Sequence, residues 1–171
     1  MTRREALTLA AVAAGAAVAG GIVGALGLQA GGAAELLSTS FRDLRGETHR
    51  LREWRGSVLV CNFWATWCAP CREEIPLLRA AKQQFAAKGL EVVGIGIDSA
   101  DKIREYAANV GVNYPIFLGD AGTIQLMRRV GNAAGGLPYN VVLDRRGAIA
   151  HRKLGAFNAA ELRQVVDGLL R

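Results

Sequence analysis

The chain has 171 residues, of which 51% are hydrophobic and 21% are charged, a composition that excludes an intrinsically disordered protein. A mean hydropathy of +0.18 argues against a polytopic membrane protein, and three cysteines are too few for a disulfide-dense secreted scaffold. The net charge of +6 is scattered over pairs such as Arg128-Arg129, so we expect an ordinary basic surface and no nucleic-acid binding.

The first 34 residues differ from the rest of the chain. Arg3 and Arg4 precede an almost uninterrupted apolar run, Ala6–Leu28, which exceeds the ~20 residues needed to span a bilayer. This pattern predicts a signal peptide or an N-terminal membrane anchor over residues 1–34, and the opening Thr2-Arg3-Arg4 resembles a twin-arginine export signal. Cleavage and retention both stay open. Because positive residues remain in the cytoplasm, we expect the remainder on the periplasmic side of the inner membrane, or in the periplasm after cleavage.

Residues 38–171 show the pattern of one globular domain. Apolar runs bounded by turn residues predict buried strands, and segments with helical spacing lie between them. In chain order we expect a hairpin (Ser40–Leu44, Thr48–Leu51), a turn segment (Leu51–Ser57), a strand (Val58–Trp64), a helix (Pro70–Lys88), a strand (Leu90–Ile97), a helix (Asp101–Val110), an extended piece (Pro115–Leu118), a helix (Thr123–Val130), two strands (Tyr139–Asp144, Ala148–Leu154) and a last helix capped by Asn158. This order predicts an α/β fold, with a mixed sheet flanked by helices on both faces.

Two cysteines lie three residues apart where the first buried strand gives way to a helix. Cys68 is expected at the helix N-terminus, where unpaired N–H groups and the helix dipole stabilise a thiolate, so it should be the exposed attacking thiol. Cys71, one turn further, is then the buried resolving thiol. Pro70 stiffens the loop between them, and Trp67 flanks the attacking sulfur. A structural disulfide and a metal site are the alternatives.

The stretch Val58–Pro76, which reads VLVCNFWATWCAPCREEIP, resembles exported TlpA/ResA-type thiol–disulfide oxidoreductases of the thioredoxin superfamily. The similarity covers roughly residues 38–171. It implies a thioredoxin-like fold with an N-terminal hairpin and a central αβ insertion between residues 98 and 118. It also implies that Cys68 and Cys71 form a redox-active disulfide.

The same resemblance implies roles for residues outside the cysteine pair. Pro138 matches the family's cis-proline beside the disulfide, where Leu137 could pair with an extended substrate peptide. Glu74 matches an acidic residue implicated in proton handling near the dithiol, and the alternative is that it only complements the start of the helix. The expected catalytic residues are Cys68, Cys71 and Glu74, and the expected substrate-binding residues are Trp67, Pro70, Leu137 and Pro138.

Four further residues bear on the mechanism. Asn62 stands where cytoplasmic thioredoxins have an aspartate, which leaves proton transfer to Glu74 or to water. Tyr139-Asn140 follows Pro138 where Thr is frequent in the family, and this departure leaves the substrate-facing surface, and hence the identity of the partner, open. Cys61 should face the opposite side of the sheet from Asn62 because side chains alternate along a strand. We expect a buried, inert thiol there, with a regulatory disulfide as the alternative.

The most favoured function is a dithiol reductant of exported protein cysteines, for example in cytochrome c or copper-site maturation. Its partners would be exported proteins with thiols or disulfides and an upstream membrane thiol reductase of the DsbD/CcdA kind. No cofactor or metal is expected, since His49 and His151 are isolated in sequence and expected at the surface. The alternatives are a copper-binding assembly module and a net disulfide oxidase. A peroxidase is disfavoured because Cys61 and Ala65 replace the Pro and Thr/Ser that peroxiredoxins place before their nucleophile.

Overall fold

A computed structural model describes residues 31–171 of the chain. The predicted signal peptide or anchor covers residues 1–34, so most of it lies outside the described residues. Within residues 31–171, no helix has the length and apolar character needed to cross a membrane.

The centre of the described part is a mixed sheet of seven strands. Its strands are β1 (Ser40–Asp43), β2 (Thr48–Arg50), β3 (Val58–Trp64), β4 (Leu90–Gly96), β5 (Ile116–Leu118), β6 (Tyr139–Leu143) and β7 (Ile149–Leu154). The order across the sheet is β2-β1-β5-β4-β3-β6-β7. Strands β3, β4 and β5 are parallel, whereas β6 pairs with β3 and β1 pairs with β5 in the antiparallel sense. The predicted hairpin and the predicted mixed sheet are confirmed.

Helices cover both faces of this sheet. They are α1 (31–38), α2 (Ala69–Phe85), α3 (Ala100–Val110), α4 (Ala121–Arg129) and α5 (Ala159–Leu170). Side chains of α2 and α5 pack together over Val58 and Val60 of β3, and Ile103 of α3 packs beside Trp64 on the same face. Residues of α1 and α4 cover the other face, over Leu59 and Phe63. Strand β3 is therefore buried on both sides, which explains its unbroken apolar sequence.

The insertion between β4 and β6 connects the hairpin to the rest of the sheet. Its helix α3 and strand β5 were both expected from the sequence, and β5 lies between β4 and β1. Asn158 caps α5 as predicted, because its Oδ1 accepts a hydrogen bond from the Glu161 N–H at 2.9 Å. The region expected to be a plain turn after β2 instead forms a short 3₁₀ helix, Leu51–Trp54.

Helix α2 ends three residues earlier than the sequence predicts. A 3₁₀ turn, Ala86–Lys88, follows it, and Gly89 then adopts a left-handed φ of +93° that favours glycine. Pro76 lies inside α2 and has no N–H to offer the carbonyl of Arg72 one turn earlier. The Tyr106 hydroxyl from α3 donates to that carbonyl at 3.4 Å. The carbonyl that the proline leaves without a helical partner thus forms a contact between α2 and α3.

Helix α1 was not predicted from the sequence, because its residues border the apolar N-terminal run. Leu36 and Leu37 are buried in the same cluster as Phe63 of β3. At the surface, Glu35 forms an ion pair with Arg129 of α4 at 2.7 Å. The packed body of the protein thus includes these residues.

We expect Leu36→Ala to lower the free energy of unfolding by about 2–5 kcal/mol, since it removes a fully buried side chain and leaves a cavity. Chemical denaturation of the oxidised protein measures this loss. The control is Leu154→Ala, which removes the same atoms from a side chain that is 54% exposed and should change the free energy by less than about 1 kcal/mol. Equal losses in the two variants would contradict the packing of α1.

Candidate active site

Cys68 and Cys71 are joined by a disulfide at the N-terminus of α2. Cys68 is the N-cap residue, with extended backbone angles, and its Sγ accepts a hydrogen bond from the Cys71 N–H at 3.3 Å. Pro70 occupies the first turn, where its missing N–H leaves no helical hydrogen bond unmade. The sulfur that would carry the negative charge after reduction thus faces the positive end of the helix dipole, as the sequence predicts.

The exposure of the site differs from expectation at one residue. Cys71 is fully buried as predicted, but Cys68 is only 6% exposed and was expected to be openly accessible. The reason is that Cys68 packs with Trp64, Ile75 and Ile103 in a cluster between β3, α2 and α3. Trp67, in contrast, is 67% exposed, so a large apolar surface is available beside the disulfide.

A contact between two loops fixes the segment that leads into the cysteines. The Thr66 hydroxyl donates a hydrogen bond to the Asp98 carboxylate, at the point where the chain leaves β4. This hydrogen bond, together with the Ser99 N–H and the nearby Lys102, holds the pKa of Asp98 below its ordinary value. The sequence carries no local signal for this pair, because the two residues are 32 positions apart.

The loop before β6 lies against the cysteine pair. The Leu137–Pro138 peptide bond is cis, and the Leu137 side chain packs against the cluster that contains Cys68 and Cys71. Two hydrogen bonds fix the loop: Asn132 Nδ2 donates to the Gly136 carbonyl at 2.8 Å, and the Gly155 N–H donates to the Pro138 carbonyl at 2.8 Å. Within residues 31–171, the backbone N–H and carbonyl of Leu137 make no hydrogen bond, so they can pair with another chain.

Glu74 lies on the buried side of α2, one turn after Cys71. Its Oε1 accepts hydrogen bonds from Asn140 Nδ2 at 2.8 Å and from the Phe157 N–H at 2.7 Å, and its Oε2 accepts one from Asn62 Nδ2 at 2.9 Å. Residues three apart on a helix are neighbours, so Glu74 and Cys71 lie on the same buried face of α2. A role limited to the helix dipole does not explain these three contacts.

Burial raises the pKa of Glu74 to about 7, although its three N–H donors and the positive charge of Lys153 favour the ionised form. A carboxyl group with a pKa near neutrality can accept and release a proton under physiological conditions. This is the property required of the acid–base partner that the resemblance implied.

Asn62 and Asn140 belong to the buried interior and do not line the surface. Tyr139 and Asn140 were placed at the substrate-facing surface from the sequence, but both side chains are buried. Asn140 pairs in register with Asn62 across β3 and β6, on the face covered by α2. The sequence offered no signal for this pairing, since the two residues are 78 positions apart.

Cys61 lies on the other face of β3 from Asn62, as strand alternation predicts. It is fully buried, and burial raises the pKa of its thiol well above the ordinary value. A raised pKa disfavours the reactive thiolate, so the structure supports a packing role for this residue.

The histidines are less exposed than the sequence predicts. His49 packs against Trp54 and Phe117, and His151 stacks on Phe157. His49 also brings a ligand atom within 4.8 Å of Asp43 and Glu47. Arg45 forms ion pairs with both of these carboxylates at 3.2 Å, which accounts for the cluster by charge pairing in the hairpin turn.

Comparisons with known proteins agree with this geometry. The sequence pattern of the AhpC/TSA family matches residues 32–152. Thioredoxin-like protein YneN of Bacillus subtilis is 32% identical over 132 residues, covering 75% of this chain and 74% of the relative. The thiol-disulfide oxidoreductase ResA of Geobacillus thermodenitrificans is 26% identical over 128 residues, covering 74% of this chain and 71% of the relative. The solved structure of a secreted thiol-disulfide isomerase from Corynebacterium glutamicum superimposes with a TM-score of 0.70 at 26% identity, covering 77% and 83% of the two chains.

The raised pKa of Glu74 makes the stability of the oxidised protein depend on pH. Between its ordinary pKa of 4.5 and about 7, the folded state binds a proton that the unfolded state has released. The resulting stabilisation is complete below pH 4.5 and is lost as the pH rises through 7, by up to about 3 kcal/mol at roughly 1.4 kcal/mol per pKa unit.

Denaturation curves of the native protein and of Glu74→Gln, recorded at several pH values in this range, give the free energy of unfolding at each pH. The effect is the difference between the two proteins in the slope of this free energy against pH. The control is Glu73→Gln, which changes an exposed carboxylate on the same helix and should keep the native slope. Parallel slopes for the native protein and Glu74→Gln would show that the carboxyl group titrates normally.

Proposed function

This chain belongs to the AhpC/TSA family. We propose that it is an exported dithiol reductant of protein cysteines. The thioredoxin-like fold and the class of thiol–disulfide oxidoreductase, both expected from the TlpA/ResA-type resemblance, are confirmed by the solved structure and by the relatives. One observation carries the proposal: two bridged cysteines lie at the start of a helix, beside a loop with free backbone hydrogen-bonding groups.

The reaction begins with the reduced protein. The Cys68 thiolate attacks one sulfur of a substrate disulfide, forming a mixed disulfide and releasing the other substrate sulfur as a thiolate. The N-terminus of α2 stabilises the Cys68 charge before the attack. An extended substrate segment pairs with the backbone of Leu137 and places an apolar side chain against Trp67.

The second step resolves the mixed disulfide. Glu74 accepts the proton of the Cys71 thiol, and the resulting thiolate attacks the sulfur of Cys68. The Cys68–Cys71 disulfide forms, and the remaining substrate sulfur leaves as a thiolate. Two electrons have then passed from the protein dithiol to the substrate, whose two thiolates take up protons.

A catalytic cycle requires a donor that returns two electrons to the Cys68–Cys71 disulfide. A membrane thiol reductase of the DsbD/CcdA kind fits this need, because the apolar run within residues 1–34 would bring the domain to the membrane or through it. The secreted isomerase of similar structure supports a location outside the cytoplasm. Cysteines of apocytochrome c or of copper sites in exported proteins are the proposed substrates.

Replacement of Cys71 by Ser should trap substrates on Cys68, because the resolving thiol is lost. After incubation with a disulfide-bonded dicysteine peptide, we expect mass spectrometry to find at least about tenfold more mixed disulfide than for the native protein. Cys61→Ser in the native background serves as control and should retain full turnover, since Cys61 is buried on the other face of β3. Equal trapping by Cys68→Ser would contradict the assigned order of attack.

The reduction potential decides between a reductant and a net oxidase. We expect equilibration with glutathione to give a value closer to the roughly −270 mV of thioredoxin than to the roughly −120 mV of DsbA. The physical reason is that Cys68 is largely buried, so desolvation offsets part of the stabilisation that the start of α2 gives to its thiolate and hence to the reduced form. A value near −120 mV would support the oxidase, and tight stoichiometric copper binding would support a metal-transfer module.

A further inference from the structure

Asn62, Asn140 and Glu74 form a closed ring of hydrogen bonds beneath α2. Asn62 Nδ2 donates to Asn140 Oδ1 at 2.9 Å and to Glu74 Oε2 at 2.9 Å, and Asn140 Nδ2 donates to Glu74 Oε1 at 2.8 Å. All three side chains are buried, so water does not compete for these contacts. The ring joins one residue from β3, one from β6 and one from α2.

The ring allows a single orientation of both amides around an ionised carboxylate. If the Asn62 amide were reversed, its oxygen would face the oxygens of Asn140 and Glu74, so three acceptors would meet without a proton. If Asn140 were reversed, its NH₂ would face the NH₂ of Asn62. The two amides therefore present N–H groups to Glu74, and the ionised carboxylate is the form they complement.

The hydrogen bonds also distinguish the two oxygens of Glu74. Oε1 accepts two N–H groups, from Asn140 and from Phe157, and both of its lone pairs are occupied. Oε2 accepts only the Asn62 N–H and keeps a lone pair for a proton.

We propose that Asn62 and Asn140 are positioning residues that hold Glu74 as a proton acceptor, with Oε2 as the oxygen that takes the proton. This inference rests on the proposed function, in which the Cys71 thiol loses its proton during resolution. The step breaks the S–H bond of Cys71 and forms an O–H bond on Oε2, and no electrons are transferred in it. The proton later leaves to solvent or to a substrate thiolate.

Other titratable groups pack around this site. They are Lys153 and His151 on β7, Tyr114 before β5, and Glu161 on α5. Lys153 is paired with Glu161 at 2.9 Å, and burial, together with the nearby Glu74 charge, raises the pKa of Tyr114. These groups are unchanged in the variants below, so differences between variants report on the amides.

The direct test is an NMR titration of the side-chain carboxyl carbons of glutamate in the oxidised protein, with Glu74 assigned from Glu74→Gln. We expect Asn140→Leu and Asn62→Leu each to raise the pKa of Glu74 by about one to two units, because one hydrogen bond to the ionised form is lost. Asn140→Asp provides a second isosteric variant should the leucine variant fail to fold, with a rise expected because two carboxyl groups would then face each other.

The control is Asn132→Leu, which removes another buried amide that bonds to the Gly136 carbonyl and makes no contact with Glu74. It should leave the pKa of Glu74 within about 0.3 units of the native value, a margin well below the loss of one such hydrogen bond. A pKa of Glu74 that stays unchanged in all the Asn62 and Asn140 variants would overturn the inference.

A second measurement connects the ring to the chemistry. The rate at which the mixed disulfide on Cys68 is resolved should rise with pH about a midpoint set by Glu74, and this midpoint should move upward with the pKa in the amide variants. A pKa that rises without any shift in this profile contradicts the transfer from Cys71 to Glu74, and with it the proposed role of Glu74. Failure of the inference about the amides and failure of the proposed function are therefore distinguished. The pKa of Glu74 is measured in the oxidised protein, which carries out no thiol–disulfide exchange, whereas the pH profile is measured during exchange.

Discussion

The Glu74 carboxylate lies between α2 and the sheet, with both of its oxygens bonded to N–H groups of other elements. An ionisable group in this position is costly unless donors compensate it. The donors come from β3, from β6 and from the segment before α5, so the carboxylate connects four parts of the chain that are distant in sequence. Because Cys71 lies one turn earlier on the same helix, this arrangement also fixes where the cysteine pair sits above the sheet.

Two opposing effects act on the same carboxyl group. Burial favours the neutral form, whereas the three N–H donors and Lys153 favour the ionised form, and the result is a pKa of about 7. A buried carboxylic acid without donors would stay protonated, and an exposed carboxylate would stay ionised. Because the two effects nearly balance, the carboxyl group can both accept and release a proton at neutral pH.

The surroundings of the Cys68–Cys71 disulfide are also built from segments that are distant in sequence. The helix start supplies the sulfurs and the dipole, and the loop at Pro138 brings beside them the Leu137 backbone groups, which make no hydrogen bond within the described residues. Thr66 and Asp98 hold the loop before the cysteines against the end of β4. The exposed surface beside the cysteine pair is that of Trp67, while the pair itself is packed among apolar side chains.

The sequence by itself determined the strands, most helix bounds, the mixed sheet and the cysteine pair. These follow from local signals: apolar runs bounded by turns, a capping residue at Asn158, and two cysteines at a helix start. The opposite facing of Cys61 and Asn62 was also predictable, since strand alternation is a local rule.

Only the tertiary structure decided the packing of α1, the burial of Cys68 and the interior position of Asn140. It also decided that Asn62 and Asn140 meet at Glu74, a contact between residues far apart in the chain. The physical reason is that hydrogen-bond partners and desolvation depend on which segments the sheet brings together, and no periodicity or propensity within one segment records that.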